Sequence, residues 1–286
     1  MRLRRVARSP KSPSMLRHVS VVAGPSSSAK DPWRRWETHR KIAALGTALL
    51  VVSGIWQDGI ATAGSCPISL PQGSEPVTLE PGNFVDRIDN PFLPFLPGAR
   101  WVYRETDSEG ARAKVTVTVT TRTRVIQGVA ATVVHDKVIE RGELVENTFD
   151  WYAQDECGNV WYLGENTKEY EDGKVVTTAG SWEAGVDGAQ AGVVMPADPQ
   201  VGLTYRQEYY EGEAEDRGEI VSLDEQAEVP FGHVRPVIMT RDTTPLHPRI
   251  LEFKFYAEDI GVVLAVGISG GSDREELLRF TSGSST

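Results

Sequence analysis

The residues of this chain best suited to chemistry are four aromatics with acids set among them. Trp151, Tyr152, Trp161 and Tyr162 fall on two short runs joined through Asp155–Gly158, with Asp150, Gln154, Asp155 and Glu165 beside them. Aromatic faces next to carboxylates and amides suit sugar rings and organic cations. Two carboxyls across a cleft can instead run glycoside hydrolysis. On that reading Asp150, Glu165 and Glu183 are the acid–base candidates. The plainer reading is cross-strand aromatic packing, worth a few tenths to about 1 kcal/mol per pair. It takes precedence, because aromatic residues are ordinary strand formers.

Ser181–Ala189 is a second cluster, rich in glycine and small residues, and reads as a loop anchored by Trp182. Its acids, Glu183 and Asp187, are of a type that suits Ca²⁺, but the regular spacing of a calcium loop is missing. Glu208, Glu211, Glu213, Glu215, Asp216 and Glu219 surround Gly212 and read as a solvated hairpin. His135 reads as a strand-end residue, and His233 and His247 as exposed loop residues. No two of them are spaced as local zinc ligands. The chain has no Gly-x-Ser-x-Gly elbow and no dinucleotide fingerprint, and Ser269–Ser272 is a Gly/Ser turn. No metal and no cofactor is expected.

Charge excludes one class of partner. Residues 1–63 hold 11 of the 30 basic residues and 3 of the 40 acidic ones, so the remainder is strongly acidic. Nucleic-acid binding draws its affinity from neutralising phosphates, and no nucleic-acid partner is expected. With 24% charged and 40% hydrophobic residues, wholesale disorder is not expected either. Two cysteines exclude a Cys-rich zinc module.

The N-terminal 63 residues read as an address. Residues 1–30 are basic and rich in Ser and Pro. Arg34-Arg35 and Arg40-Lys41 precede the apolar run Ile42–Val52, and Ala61-Thr62-Ala63 follows. Basic, apolar and small segments in that order make a secretory signal, and the apolar run is shorter than the ~20 residues that span a bilayer. The expectation is a secreted, extracytoplasmic protein with no transmembrane span in its mature chain; the alternative is an uncleaved N-terminal anchor. Ala63-Gly64-Ser65-Cys66 is a poor lipobox, which leaves Cys66 and Cys157 to form a disulfide after export. Such a bridge is worth about 4–5 kcal/mol in the chain-entropy model.

The elements that must position the aromatic–acid cluster are strands. Residues 64–98 carry seven prolines, which forbid a long helix or central strand. They read as a linker and lead-in, with at most a short helix near Gly82–Ile88, and Phe92, Leu93, Phe95 and Leu96 plug one end of the core. From residue 99 to 286 a single antiparallel β domain is expected. Val115, Val117 and Val119 alternate with threonines, and Leu251, Phe253 and Phe255 alternate with Glu252, Lys254 and Tyr256. Glycine turns separate the runs. Nine or ten short strands are more than a flat sheet carries without curling. The expected fold is all-β, a strongly curved antiparallel sheet or half-barrel, with a two-sheet β-sandwich as the alternative.

The runs Asp150–Asp155, Gly158–Tyr162 and Ser181–Gly185 resemble a group of secreted bacterial proteins of unassigned function, a likeness that extends over residues 90–280. Glu252–Val263, with Tyr256-Ala257 and Gly261-Val262-Val263, is similar to the closing hairpin of periplasmic lipoprotein-carrier-like curved-sheet proteins. That second likeness implies a concave sheet able to shelter an apolar or amphipathic ligand, and no more, since fold does not confer function.

The leading expectation is therefore a monomeric, non-catalytic binding or carrier protein for a small apolar or amphipathic ligand. Its candidate binding residues are Asp150, Trp151, Tyr152, Trp161, Tyr162, Glu165 and Trp182. The alternatives are a carboxylate-dependent hydrolase and a cell-envelope interaction protein. Trp151 shares a parity with Val145 and Phe149, and Asp150 shares the other with Tyr152. A curved sheet has one concave face, so one set must look into the hollow: the tryptophan set for an apolar pocket, the acid–phenol set for a polar one.

Overall fold

Alternation of side chains along a strand and glycine or Asp-Gly reversals between strands dictate the architecture. The computed structural model describes residues 69–284. The 1–63 leader, its signal and Cys66 lie outside the described residues. The strands are β1 (Phe84–Val85), β2 (Arg100–Thr106), β3 (Arg112–Ile126), β4 (Val129–Glu140), β5 (Glu143–Asp155), β6 (Val160–Glu171), β7 (Lys174–Thr177), β8 (Trp182–Glu183), β9 (Gln190–Met195), β10 (Thr204–Arg206), β11 (Glu208–Tyr209), β12 (Arg217–Val229), β13 (Gly232–Thr243), β14 (Leu251–Ala257), β15 (Gly261–Ser269) and β16 (Arg274–Thr281). The short helix expected near Gly82–Ile88 is only a 3-10 turn, Pro81–Asn83. Phe84 and Val85 extend instead, because they pair with Asp155 and Gln154 of β5.

The main sheet is antiparallel, in the order β10-β12-β13-β14-β15-β16-β2-β3-β4-β5-β6-β9-β11. Its two ends, β10 and β11, are consecutive in the chain, with Gln207 alone between them. One short segment thus pairs with β12 on one side and β9 on the other, and draws the sheet round into a nearly closed barrel. This is one continuous curved sheet and not two packed ones. Register shifts between β3 and β4, β5 and β6, β12 and β13, and β16 and β2 supply the bends. Bulges of this kind increase the local twist that closure needs.

Two apolar layers follow from the strand parity. Inside, Trp101, Val115, Val119, Val134, Val237, Val263 and Leu277 pack with Ile88, Leu93 and Phe95 of the lead-in. Leu93 and Phe95 are buried, as a plug requires. Outside, Val133, Trp151 and Trp161 of β4–β6 are covered by Leu79 and Phe84 of the lead-in and by Ala189 and Val193. Asp155 fixes the turn between β5 and β6. Its buried carboxylate accepts hydrogen bonds from the backbone N–H of Cys157 (3.0 Å) and Asn159 (2.9 Å), from Asn159 Nδ2 (2.8 Å) and from Trp161 Nε1 (2.8 Å). No helix among the described residues is long and apolar enough to cross a membrane.

Candidate functional site

Residues of alternate parity on β5 go to opposite sides of the sheet. Asp150 and Tyr152 point into the barrel, and Trp151 points out. Tyr152 pairs with Tyr162 across β5 and β6, and their rings stack 4.8 Å apart at 16°. Phe95 packs against Tyr152 at 4.9 Å. The Tyr162 hydroxyl donates to Asp150 Oδ1 at 2.8 Å. These side chains border an internal cavity of about 320 Å³, within the ordinary range for a small-ligand site. Part of its wall is apolar, from Leu93, Phe95, Trp101, Val117, Val134 and Val262. The rest is mainly acids and phenols, with one amide, Gln207, and one lysine, Lys254.

Of the residues singled out in the sequence, Asp150, Tyr152 and Tyr162 line this cavity. Glu165 lies beside Asp150 as its cross-strand partner, and its carboxyl accepts from Thr167 Oγ1 at 2.8 Å. Trp182 stands behind Tyr162, edge-on at 5.3 Å, and donates its indole N–H to Glu208 Oε2 at 2.8 Å. Trp151 and Trp161 are displaced from the expected site. Trp151 lies on the outer face under the Arg124 guanidinium, and Trp161 packs against Phe84 while its N–H is held by Asp155. Glu183 does not join Asp150 and Glu165, because its carboxylate pairs with Arg124.

The acids around Gly212 are a partial correction. Glu211 and Glu213 are exposed, but Glu208 and Asp216 turn inward and line the cavity. The reason is the β10–β11 crossover: Glu208 lies in the segment that closes the barrel and Asp216 just before β12 is tied to it, the Gln207 and Glu208 N–H groups donating to the Asp216 carbonyl. His135 is also mid-strand rather than at a strand end. It stacks on Phe149 at 4.5 Å, with Nε2 2.7 Å from Asn147 Oδ1. His233 lies in β13, near its start, with Nδ1 3.0 Å from the Glu228 carboxylate.

Sequence reading missed Asp136, Tyr103, Lys254, Tyr256 and Glu275 as lining residues. A signal was present. On β14 the parity that carries Glu252, Lys254 and Tyr256 mixes a phenol with charges, as Asp150 and Tyr152 do on β5. Such a face reads as solvent-exposed in a flat sheet but becomes the inner wall of a barrel.

Burial shapes the electrostatics. Desolvation raises the pKa of Asp150 to about 7, partly countered by the Tyr162 hydroxyl. Desolvation and the charge of Asp150 raise Glu165 to about 8. Desolvation likewise raises Asp216 to about 6 and Glu252 to about 7, and Lys254 tempers both. Asp136 and Glu208 are pushed well up for the same first reason. Burial works against the charge on Lys254, but Asp242 (2.9 Å) and Glu252 (3.4 Å) hold its pKa above the ordinary value. No three Asp, Glu, His or Cys side chains among the described residues form a group that could hold a metal ion. The arrangement can exchange protons near neutral pH and can accept hydrogen bonds from a guest.

No family model and no curated protein matches the chain. Among solved structures, it is similar to a protein from Bacteroides fragilis described as exported, with a YmcC-like fold. Identity there is 14%, the TM-score is 0.40, and the alignment covers 67% of this chain and 99% of the other. It is also similar to a protein from Parabacteroides distasonis described as a lipoprotein, at 10% identity and TM-score 0.37, covering 66% of this chain and 98% of the other.

Proposed function

We propose that this chain is an exported, non-catalytic binding or carrier protein that takes a small amphipathic ligand into its barrel. The observation that carries the reading is the cavity of about 320 Å³, with an apolar wall beside buried acids and phenols. Export is supported by the basic patch, apolar run and Ala61-Thr62-Ala63 in that order. Native mass spectrometry of protein purified from its own host is the test. A stoichiometric small-molecule adduct is expected; a ligand-free spectrum under gentle ionisation argues against the proposal.

A second reading, a carboxylate-dependent hydrolase, has one observation in its favour. Asp150 and Glu165 are cross-strand partners with pKa values near neutrality, as acid–base catalysis requires. Against it, the same elevation reaches Asp136, Glu208, Asp216 and Glu252, so it is a property of the whole interior and does not mark out a pair. Asp150→Asn separates the readings, since an amide oxygen still accepts from Tyr162. A binding protein keeps its fold and shows no turnover of aryl glycosides before or after the change. A hydrolase shows turnover that falls by at least ~100-fold.

The pairing of Cys66 with Cys157 is part of the same proposal. It is supported by there being two cysteines in a chain with an export address. Intact mass after alkylation, with and without reductant, is expected to differ by two alkyl groups. Two thiols alkylated without reductant, or a diacylglyceryl mass on Cys66, contradicts it.

A further inference from the structure

Donors and acceptors around the cavity do not balance. Five carboxyl side chains line it, Asp136, Asp150, Glu208, Asp216 and Glu275, against one cation, Lys254. Lys254 is engaged outside this set, by Asp242 and Glu252. The Tyr162 hydroxyl is committed to Asp150, the Trp182 indole to Glu208, and the Tyr103 hydroxyl to the Val262 carbonyl at 3.0 Å. Gln207 donates to Asp242 at 3.3 Å and Tyr256 is hydrogen-bonded to Thr240, and the Tyr152 hydroxyl is a further donor on this wall. Asp136 and Asp216 each keep an Oδ1 that is shut off from solvent and has no hydrogen-bond partner. A buried oxygen left that way is costly, and a charged N–H donor satisfies it best.

The surroundings narrow the class of donor. Asp136 faces Glu146 and Asp150 from β5, Glu275 from β16 and Glu105 from β2. Asp216 faces Lys254, the Thr244 hydroxyl, Asp242 and His247, and lies near Glu208 and Glu165. Carboxyls therefore dominate the polar wall, and a cation seated there favours their ionised form over the neutral form that burial favours. Its carboxyls do not gather into a metal-holding group, so the fit is to an organic cation with several N–H bonds. The apolar wall, with Phe95 and Trp101, gives the rest of the guest a dry surface and aromatic faces that attract cations.

We infer that the ligand of this cavity is a protonated amine on an apolar body, with its ammonium seated at the acid-bearing wall that holds Asp136 and Asp216. The inference rests on the reading that the cavity binds a small ligand. Lys254 does not repel such a guest strongly, because two carboxylates already screen it.

Titration calorimetry of the full chain at pH 8 with octylamine, octanol and octanoate tests this. The three probes share a chain and differ in head group. Octylamine is expected to bind at least about tenfold more tightly than octanol, with octanoate weakest. Asp136→Asn and Asp216→Asn, both close in shape to the native residue, are each expected to reduce the octylamine preference by about tenfold while leaving octanol affinity unchanged. Octanol or octanoate binding as tightly as octylamine to the unmodified protein overturns the inference but leaves the binding reading standing. If none of the three binds, both fall. The comparison on the unmodified chain decides the matter whether or not a variant folds.

Discussion

The melting temperature of the ligand-free protein is expected to fall by roughly 10 °C between pH 5 and pH 8. The sign follows from the buried acids. Asp150, Asp216, Glu165 and Glu252 start from ordinary values of 3.8 or 4.5 and sit at about 7, 6, 8 and 7 in the folded chain. Between those limits the folded state binds more protons than the unfolded one. Stability is therefore full below about pH 4 as far as these groups are concerned, and is lost as pH rises through 6 to 8. Glu75, Asp89 and Glu276 are shifted down by hydrogen bonds and arginines, so their contribution is lost only on acidification below about pH 4. The maximum then lies near pH 4, so stability is already falling at pH 5.

Coupled acids ionise as a group, so the loss to pH 8 is about 3–5 kcal/mol rather than a sum of single shifts. At about 2–4 °C per kcal/mol for a domain of this size, the shift is roughly 10 °C. Differential scanning calorimetry in matched ionic strength reads it. Asp150→Asn flattens the slope by removing one of the raised acids. A melting temperature that rises or stays level from pH 5 to pH 8 shows that the inner carboxyls are solvated, and removes the electrostatic basis of the cavity argument.

Gly192→Ala destabilises the protein by about 3 kcal/mol or more. Gly192 lies in β9 where the crossover residue Gln207 passes, and a Cβ there would fall on the carbonyl carbon and oxygen of Gln207 and on the Arg206 carbonyl oxygen. Those atoms are backbone, so nothing flexible can yield. The same point is tied by Arg206, whose guanidinium donates to the Ala191 carbonyl at 2.7 Å and to the Glu75 carbonyl at 2.8 Å. Pushing the crossover away breaks the pairing of β11 with β9 and opens the barrel at its seam. The expected result is a melting temperature lower by roughly 10 °C, with faster amide exchange concentrated in residues 190–209. Gly188→Ala is the control for a nearby glycine: its Cβ meets nothing, and its positive φ of 88° makes its cost one of backbone strain alone, about 1–2 kcal/mol. Equal losses at the two positions, or no local exchange signature, would count against a tight seam at Gly192.

The sequence by itself determined that the chain beyond residue 99 is built of strands and that the sheet curls. Val115, Val117 and Val119, and Leu251, Phe253 and Phe255, fall in β3 and β14 because side chains alternate across a strand. It also determined that Asp150 and Tyr152 share one face and Trp151 the other, since period two is local. Which face looks inward was not local. It depends on the direction in which the sheet curls, and that is set by Gln207, where one segment joins both edges, and by bulges that only strand pairing reveals. For the same reason Glu208 and Asp216, read as solvated because acids near a glycine turn usually are, become cavity wall once the seam folds over them. Lys254 was unreadable as a neighbour of this cavity because β14 lies far from β5 in sequence, and Asp136, although on the adjacent strand β4, was unreadable because the inward face was not known. The raised pKa of Asp136 is a product of burial and that of Lys254 of the carboxylates that hold its charge against burial, and both surroundings belong to the closed barrel rather than to any residue in it.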